Sequence, residues 1–168
     1  MSKSEVSLVF VSSNFRSWHG LDLLLDVLSR TTHNLTLTVV GSITDTYLID
    51  SVQILRDSSW FTYMKHLPDN LFDFYSSFDL GISSLALDRI FMQDACPLKS
   101  REYLSFGLPV IGTYNDDEVL VPYYQKLSQI SVPNILTASA IIKSYSRQSI
   151  IDYATSSLTK SKYLIRLN

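Results

Sequence analysis

The sequence predicts a doubly wound α/β fold: a parallel sheet of about six strands, helices on both faces, and a helical tail at the C-terminus. Three observations predict it. Short β-rich apolar runs recur along the chain and alternate with stretches whose leucines and aromatics fall at helical spacing. Several of the runs are apolar at consecutive positions, as in strands covered on both faces. The alternation requires right-handed crossovers between parallel strands.

Val6 to Ser12 is the first such run, followed by the polar segment Ser13–Gly20. Leu21, Leu24, Leu25 and Leu28 then mark one face of a helix. Leu35–Gly41 is the second strand, and Asp45 or Thr46 caps a helix that carries Leu48, Val52 and Leu55 on one face. Trp60–Met64 is the third strand, and Pro68 opens a helix bearing Leu71, Phe74, Tyr75 and Phe78. Leu80–Ser83 and Val110–Gly112 are strands four and five. Between them lie a long polar loop, Ser84–Pro97, and a short helix with Pro97 near its start and Gly107 at its left-handed end. Gln129–Val132 reads as the sixth strand. The acidic run Asp116-Asp117-Glu118 reads as a helix start favoured by the dipole. The tail, residues 137–168, reads as one or two helices with Ile141, Ile142, Ile150, Ile151, Tyr153 and Leu158 as core residues. Neither a repeat nor an interdomain linker interrupts the pattern, so the 168 residues are expected to form one domain behind a linker- or tag-like start at residues 1–5.

Composition narrows the classes of function. Apolar residues make up 46%, enough for a substantial core. The net charge of −2 provides no field to recruit nucleic acid or an anionic membrane. The lone cysteine, Cys96, rules out an intramolecular disulfide and suggests a reducing compartment. No apolar run approaches the roughly 18 residues of a membrane span. The first five residues lack the apolar segment of a signal peptide. The expected location is the cytoplasm.

Six strands in this rhythm suggest the order 3-2-1-4-5-6, which makes strands one and four neighbours at the switch point, where ligands bind beyond the carboxyl ends. The loops after those strands, Ser13–Gly20 and Ser84–Pro97, should therefore face one crevice. Lys99 and Glu102, three residues apart, share a helix face there. Together with Arg16 and the first amides of two helices, near Gly20 and at Leu98, Lys99 and Ser100, they offer cations and N–H donors to a diphosphate. Gly20 would let a ligand approach closely, and a carboxylate at Glu102 suits a sugar diol. A solvated Lys99–Glu102 pair fits the spacing equally well. Asp94, eight residues before Glu102, could bracket a ligand or serve as a turn residue. His19 could donate to a phosphate or a reacting sugar; beside Trp18 it more often serves as a structural hydrogen-bonding residue. Lys65 and His66, after strand three, line either a base pocket or a surface loop. No metal-ligand spacing, no Gly-x-Gly-x-x-Gly and no Gly-x-Ser-x-Gly occurs, which argues against a metal centre, an NAD dehydrogenase and a hydrolase.

The segments Val11-Ser-Ser-Asn-Phe-Arg-Ser-Trp-His-Gly20, Asp79-Leu-Gly-Ile82 and Pro97-Leu-Lys-Ser-Arg-Glu-Tyr-Leu-Ser-Phe-Gly-Leu-Pro-Val-Ile111 resemble the C-terminal half of a GT-B glycosyltransferase. The likeness is to the large retaining group 1 (family 4-like) class that includes bacterial polysaccharide-assembly enzymes, and it runs from Val6 to Gly112. It implies a Rossmann-like domain that binds a nucleotide-diphosphate sugar for transfer of a hexosyl group to a glycan or lipid-linked acceptor. The family's paired acidic motif falls on Asp94, toward the donor sugar, and on Glu102, toward the ribose. The phosphate-facing positions fall on Arg16, Leu98 and Lys99, and His19 stands where a lysine is usual. No cofactor and no dedicated metal is implied. An acceptor domain, N-terminal or on a partner chain, is expected beyond this segment, with peripheral association of the whole enzyme at the inner membrane face. The alternatives are a non-catalytic nucleotide-sugar-binding module and a nucleotide-sugar epimerase-like domain. A flavodoxin-like receiver would need an acidic site where Lys65 and His66 stand.

Overall fold

The computed structural model describes residues 5–32, 34–117, 119 and 122–158. Its strands are β1 (Val6–Asn14), β2 (Leu35–Ser42), β3 (Phe61–Met64), β4 (Leu80–Ile82), β5 (Val110–Gly112) and β6 (Tyr124–Lys126). Its helices are α1 (Leu21–Ser29), α2 (Thr46–Leu55), α3 (Leu71–Ser76), α4 (Leu98–Ser105), α5 (Val132–Ile142) and α6 (Arg147–Ser157). Short 3-10 turns at Ser17–His19 and Leu87–Ile90 lie in the loops after β1 and β4. The strands form one sheet in the order β3-β2-β1-β4-β5-β6, and every pairing is parallel. This is the expected doubly wound order, with β1 and β4 adjacent at the switch point.

The sheet is covered on both faces. Leu8 and Phe10 of β1 pack with Leu21, Leu24, Leu25 and Leu28 of α1, Leu48 of α2, and Ile135, Ala138 and Ile142 of α5. Val9, between them in sequence, joins the opposite layer with Tyr75 of α3, Tyr103 and Leu104 of α4, and Ile150 and Ala154 of α6. Successive strand residues point to opposite faces, so one β1 run supplies both layers. Each buried leucine of α1 contributes about 1.5–3 kcal/mol by leaving water.

β1 and β4 pair only at Leu8–Leu80 and Val9–Gly81. Where that ladder ends, the Tyr103 hydroxyl bridges the strands: it accepts the Val11 N–H at 2.8 Å and donates to the Ile82 carbonyl at 3.2 Å. The ring reaches this position because residue 81 is glycine; a Cβ there would stand 2.4 Å from Tyr103 Cδ2. Tyr103 thus fixes α4 over the switch point.

Several boundaries differ from the sequence-based expectation. β6 forms at Tyr124–Lys126 rather than at Gln129–Val132. Ser131 instead caps α5 through its side chain, so that helix begins at Val132, five residues before the expected tail. Asn70, not Pro68, caps α3, accepting the Asp73 N–H. The Ser84–Pro97 loop is less polar than it reads, because Leu85, Ala86 and Leu87 are buried. Ile141 is exposed, whereas Ile142 and Ile150 are in the core. The Asp116-Asp117-Glu118 run does not open a helix: Asp116 is buried against Arg101, whose guanidinium donates to both carboxylate oxygens, and Glu118 lies outside the described residues. The expected starting segment, except for Glu5, and the tail beyond Leu158 also lie outside them.

Candidate functional site

At the carboxyl end of β1 and β4 the two expected loops meet. Leu85 N–H donates to the His19 carbonyl at 3.0 Å, and Ala86 N–H donates to the Trp18 carbonyl at 3.1 Å. Arg89 makes a bidentate pair with Asp22 at 2.9 and 2.8 Å and also donates to the Ser17 carbonyl. Gly20 belongs to this seam. Its φ of +71° is left-handed, and a Cβ would meet Leu85 Cβ at 2.9 Å. The glycine thus admits the β4 loop, which corrects the expectation that its open side serves a ligand.

His19 is packed among Phe10, Phe15 and Trp18, with ring centroids 6.5, 5.7 and 5.8 Å away. Its Nδ1 accepts the Arg16 N–H at 2.8 Å, which leaves the proton of the neutral ring on Nε2, 3.5 Å from Ser12 Oγ. Burial, followed by the nearby Lys99 ammonium, pushes its pKa down to about 4. His19 is therefore a neutral N–H donor near pH 7 rather than a cation.

Lys99 lies in the first turn of α4 with its ammonium 5.3 Å from the centroid of the Phe10 ring. Nζ is buried and has no hydrogen-bond partner among the described residues. The Lys99–Glu102 surface pair that the spacing allowed does not form. Burial pushes the Lys99 pKa down to about 8, because a desolvated charge without a partner is costly. Glu102 turns away and accepts the Tyr75 hydroxyl at 2.6 Å on Oε1.

Helix capping separates the centre of the sheet from its periphery. α2, α3, α5 and α6 are each capped by a side chain, from Asp45, Asn70, Ser131 and Ser146. α1 and α4, which follow β1 and the β4 loop, begin at Gly20 and Pro97 with no side-chain cap. At α4, Ser100 N–H donates to the Pro97 carbonyl, so its amide is not among the free ones expected. The Leu98 and Lys99 amides have no acceptor among the described residues. An uncapped helix start beside an unpaired lysine is suited to an anion.

The remaining expected residues are placed as follows. Arg16 is exposed and borders a cavity of about 480 Å³ between the β1 and β2 loops, together with Trp18, Asp22, Tyr47 and Arg89. Arg16 hydrogen-bonds to His19 through its backbone, and the Lys99 charge acts on the same imidazole, so both lie at this end of the sheet. Asp94 is exposed and accepts the Asn115 amide at 2.8 Å, tying the β4 loop to the segment after β5. Lys65 and His66 are exposed just beyond β3, at the same end of the sheet. Leu98 is 77% exposed, so its contribution is its backbone amide. Among the described residues no group of three His, Cys, Asp or Glu is placed to hold a metal ion, and no helix is long and apolar enough to cross a membrane.

Sequence reading missed Tyr75 and Asn14. Tyr75 reads as one more core aromatic, and only the fold places its hydroxyl on Glu102. Asn14 Oδ1, at the end of β1, is buried and without a hydrogen-bond partner among the described residues; a lone asparagine gives no signal of this in sequence.

The sequence model of the family described as "Glycosyl transferases group 1" matches residues 5–133. No curated protein matches the sequence. Among solved structures, HepE from Anabaena in complex with UDP and glucose superposes with a TM-score of 0.62 at 13% identity, over 92% of this chain and 44% of that one. WaaG, a glycosyltransferase involved in lipopolysaccharide biosynthesis, superposes at 0.59 and 18% identity, over 96% of this chain and 45% of that one. The C-terminal domain of LpcC, a group 1 family protein from Francisella tularensis, superposes at 0.57 and 14% identity, over 93% of this chain and 88% of that domain. The chain thus spans less than half the length of HepE and WaaG but most of the isolated LpcC domain.

Proposed function

Because this chain belongs to the group 1 glycosyl transferases, whose family model covers most of its length, we propose that it is the donor-binding, C-terminal-type domain of a retaining enzyme. The enzyme moves a hexosyl group from a nucleotide-diphosphate sugar to a glycan or lipid-linked acceptor. The observation that carries this reading is the buried, unpartnered Lys99 ammonium at the uncapped start of α4, beside the switch point. A cation held dry and unpaired has its strongest interaction with an arriving anion. The likeness to the C-terminal domain of LpcC supports the placement. The UDP and glucose in the HepE complex support the ligand class.

In this reading Lys99, the Leu98 and Lys99 amides and Arg16 hold the diphosphate. As the sugar–phosphate bond breaks, negative charge grows on the departing nucleotide, and donors already aimed at it lower the barrier without reorganising. His19, neutral and protonated on Nε2, donates a hydrogen bond toward the phosphate or the reacting sugar. Glu102 takes the ribose hydroxyls on the oxygen that Tyr75 leaves free. Asp94, on the β4 loop, faces the donor sugar; Lys65 and His66 border the base. Charge neutralisation by protein donors leaves no step that requires a metal. The acceptor is positioned by a second domain or partner chain, and that positioning supplies much of the rate. We place the reaction in the cytoplasm, at or near the inner membrane face.

A thermal-shift screen with UDP, GDP, ADP and CDP sugars tests the reading, because a ligand that binds only the native state raises the melting temperature. One nucleotide series should stabilise the chain and the others should not. No shift with any of them rejects donor binding, and conversion of the sugar without an acceptor would favour the epimerase-like alternative.

A further inference from the structure

We propose that Tyr75 is a positioning residue that sets which oxygen of Glu102 meets the ribose. The inference rests on the reading above that Glu102 faces the nucleotide's ribose, and it adds a residue from a different helix to that contact.

Tyr75 is fully buried in α3. Its ring is gripped by Tyr103 and Phe106, with centroids 5.6 and 5.1 Å away, and by Phe74 at 5.3 Å. Its hydroxyl donates to Glu102 Oε1 at 2.6 Å, within the range of a charge-assisted O–H···O⁻ bond. A ring held this tightly has few alternative orientations, so the direction of the hydroxyl is fixed and with it the rotation of the carboxylate. Glu102 is half-buried on α4, one turn from Lys99. Lys99 does not pair with it, so the phenol is the group that orients the carboxylate. One oxygen is thereby occupied, and Oε2 remains to accept the ribose hydroxyls. Without the phenol the glutamate side chain would sample several rotamers, and each ribose contact would require it to be ordered again on binding.

The test compares affinities of the whole chain for the ribo and 2′-deoxy forms of UDP, GDP and ADP by calorimetry, with inorganic pyrophosphate as a control. Tyr75→Phe keeps the packed ring and deletes only the hydroxyl. The preference for ribo over 2′-deoxy should drop about two- to tenfold, the scale of one hydrogen bond, while pyrophosphate affinity stays unchanged. In a Glu102→Ala background, which removes the acceptor, the same substitution should change the preference no further. A merely structural role for Tyr75 would lower the melting temperature and leave the ribo preference intact, which overturns the proposal. If the unmodified chain binds nucleotide without preferring ribose, the Glu102 assignment itself fails, an outcome distinct from failure of the Tyr75 role. Should Tyr75→Phe not fold, a crystal structure of the unmodified chain with bound nucleotide decides: Tyr75 must stay bonded to one Glu102 oxygen while the other meets the ribose. A Tyr75 hydroxyl parted from Glu102 in that complex also overturns the proposal.

Discussion

The Lys99 ammonium lies 5.3 Å from the centroid of the Phe10 ring and has no hydrogen-bond partner among the described residues. The aromatic face returns part of the lost hydration, on the order of 1 kcal/mol, which is less than desolvation of the charge costs. The free domain therefore retains an unfavourable feature at the place where a diphosphate would bind, as expected of a residue maintained for a ligand.

Lys99→Met should expose this conflict. The neutral side chain fills similar space without a buried charge, so the free domain should gain about 1–2 kcal/mol in denaturant unfolding. Nucleoside-diphosphate binding should weaken sharply in the same variant. Loss of stability together with intact binding would place the lysine in the scaffold instead.

Nucleotide affinity should fall as pH rises above about 8. Burial holds the free Lys99 pKa at about 8, and only the protonated form attracts the anion. Above that pH the lysine must take up a proton before binding, so affinity declines by up to about tenfold per pH unit. Calorimetry at pH 7, 8 and 9 measures this slope, and in Lys99→Met the slope should vanish.

Acid should destabilise the fold through His19. Its pKa is about 4 when folded and 6.5 in the unfolded chain. Between these values the unfolded state binds more protons, so stability rises with pH and is lost as pH falls from 6.5 toward 4. The loss is on the order of 3 kcal/mol, at about 1.4 kcal/mol per pKa unit. His19→Gln should flatten this part of a pH–stability curve measured by chemical denaturation.

Gly20→Ala should cost about 1–3 kcal/mol from the left-handed backbone alone. The added Cβ, 2.9 Å from Leu85 Cβ and 3.1 Å from the Leu85 carbonyl carbon, adds to that cost. The substitution presses the β4 loop away from the β1 loop. Thermal unfolding should show the loss, and nucleotide binding should weaken with it because the two loops no longer meet.

The strand order was legible because consecutive apolar runs and intervening helical periodicity leave few topologies. Pro97 and Gly107 bracketed α4 closely, and Gly107 is indeed left-handed at φ +72°. The sixth strand is displaced because Tyr124-Gln125-Lys126 carries no apolar pattern to mark it, while Gln129–Val132 places Ile130 and Val132 at alternate positions. Lys99 and Glu102 were recognisable as site candidates from spacing, but spacing could not show that one would be buried alone and the other bonded to Tyr75. The seam at Gly20 was misread because Leu85 and Ala86 are 65 or more residues away in sequence, and only the parallel β1–β4 pairing brings them together. That His19 is neutral was not legible, because its burial depends on Phe10 from β1 and its depressed pKa in part on Lys99 from α4.

The central claim is that the two loops and the start of α4 grip a diphosphate through Lys99. Isothermal titration of the unmodified chain and of Lys99→Ala with UDP, GDP, ADP and CDP, followed by pyrophosphate competition, tests it most directly. One nucleoside diphosphate should bind, pyrophosphate should displace it, and Lys99→Ala should weaken its binding by about 1–3 kcal/mol, the range for a charge-assisted bond. Equal affinity in the two proteins would contradict the claim.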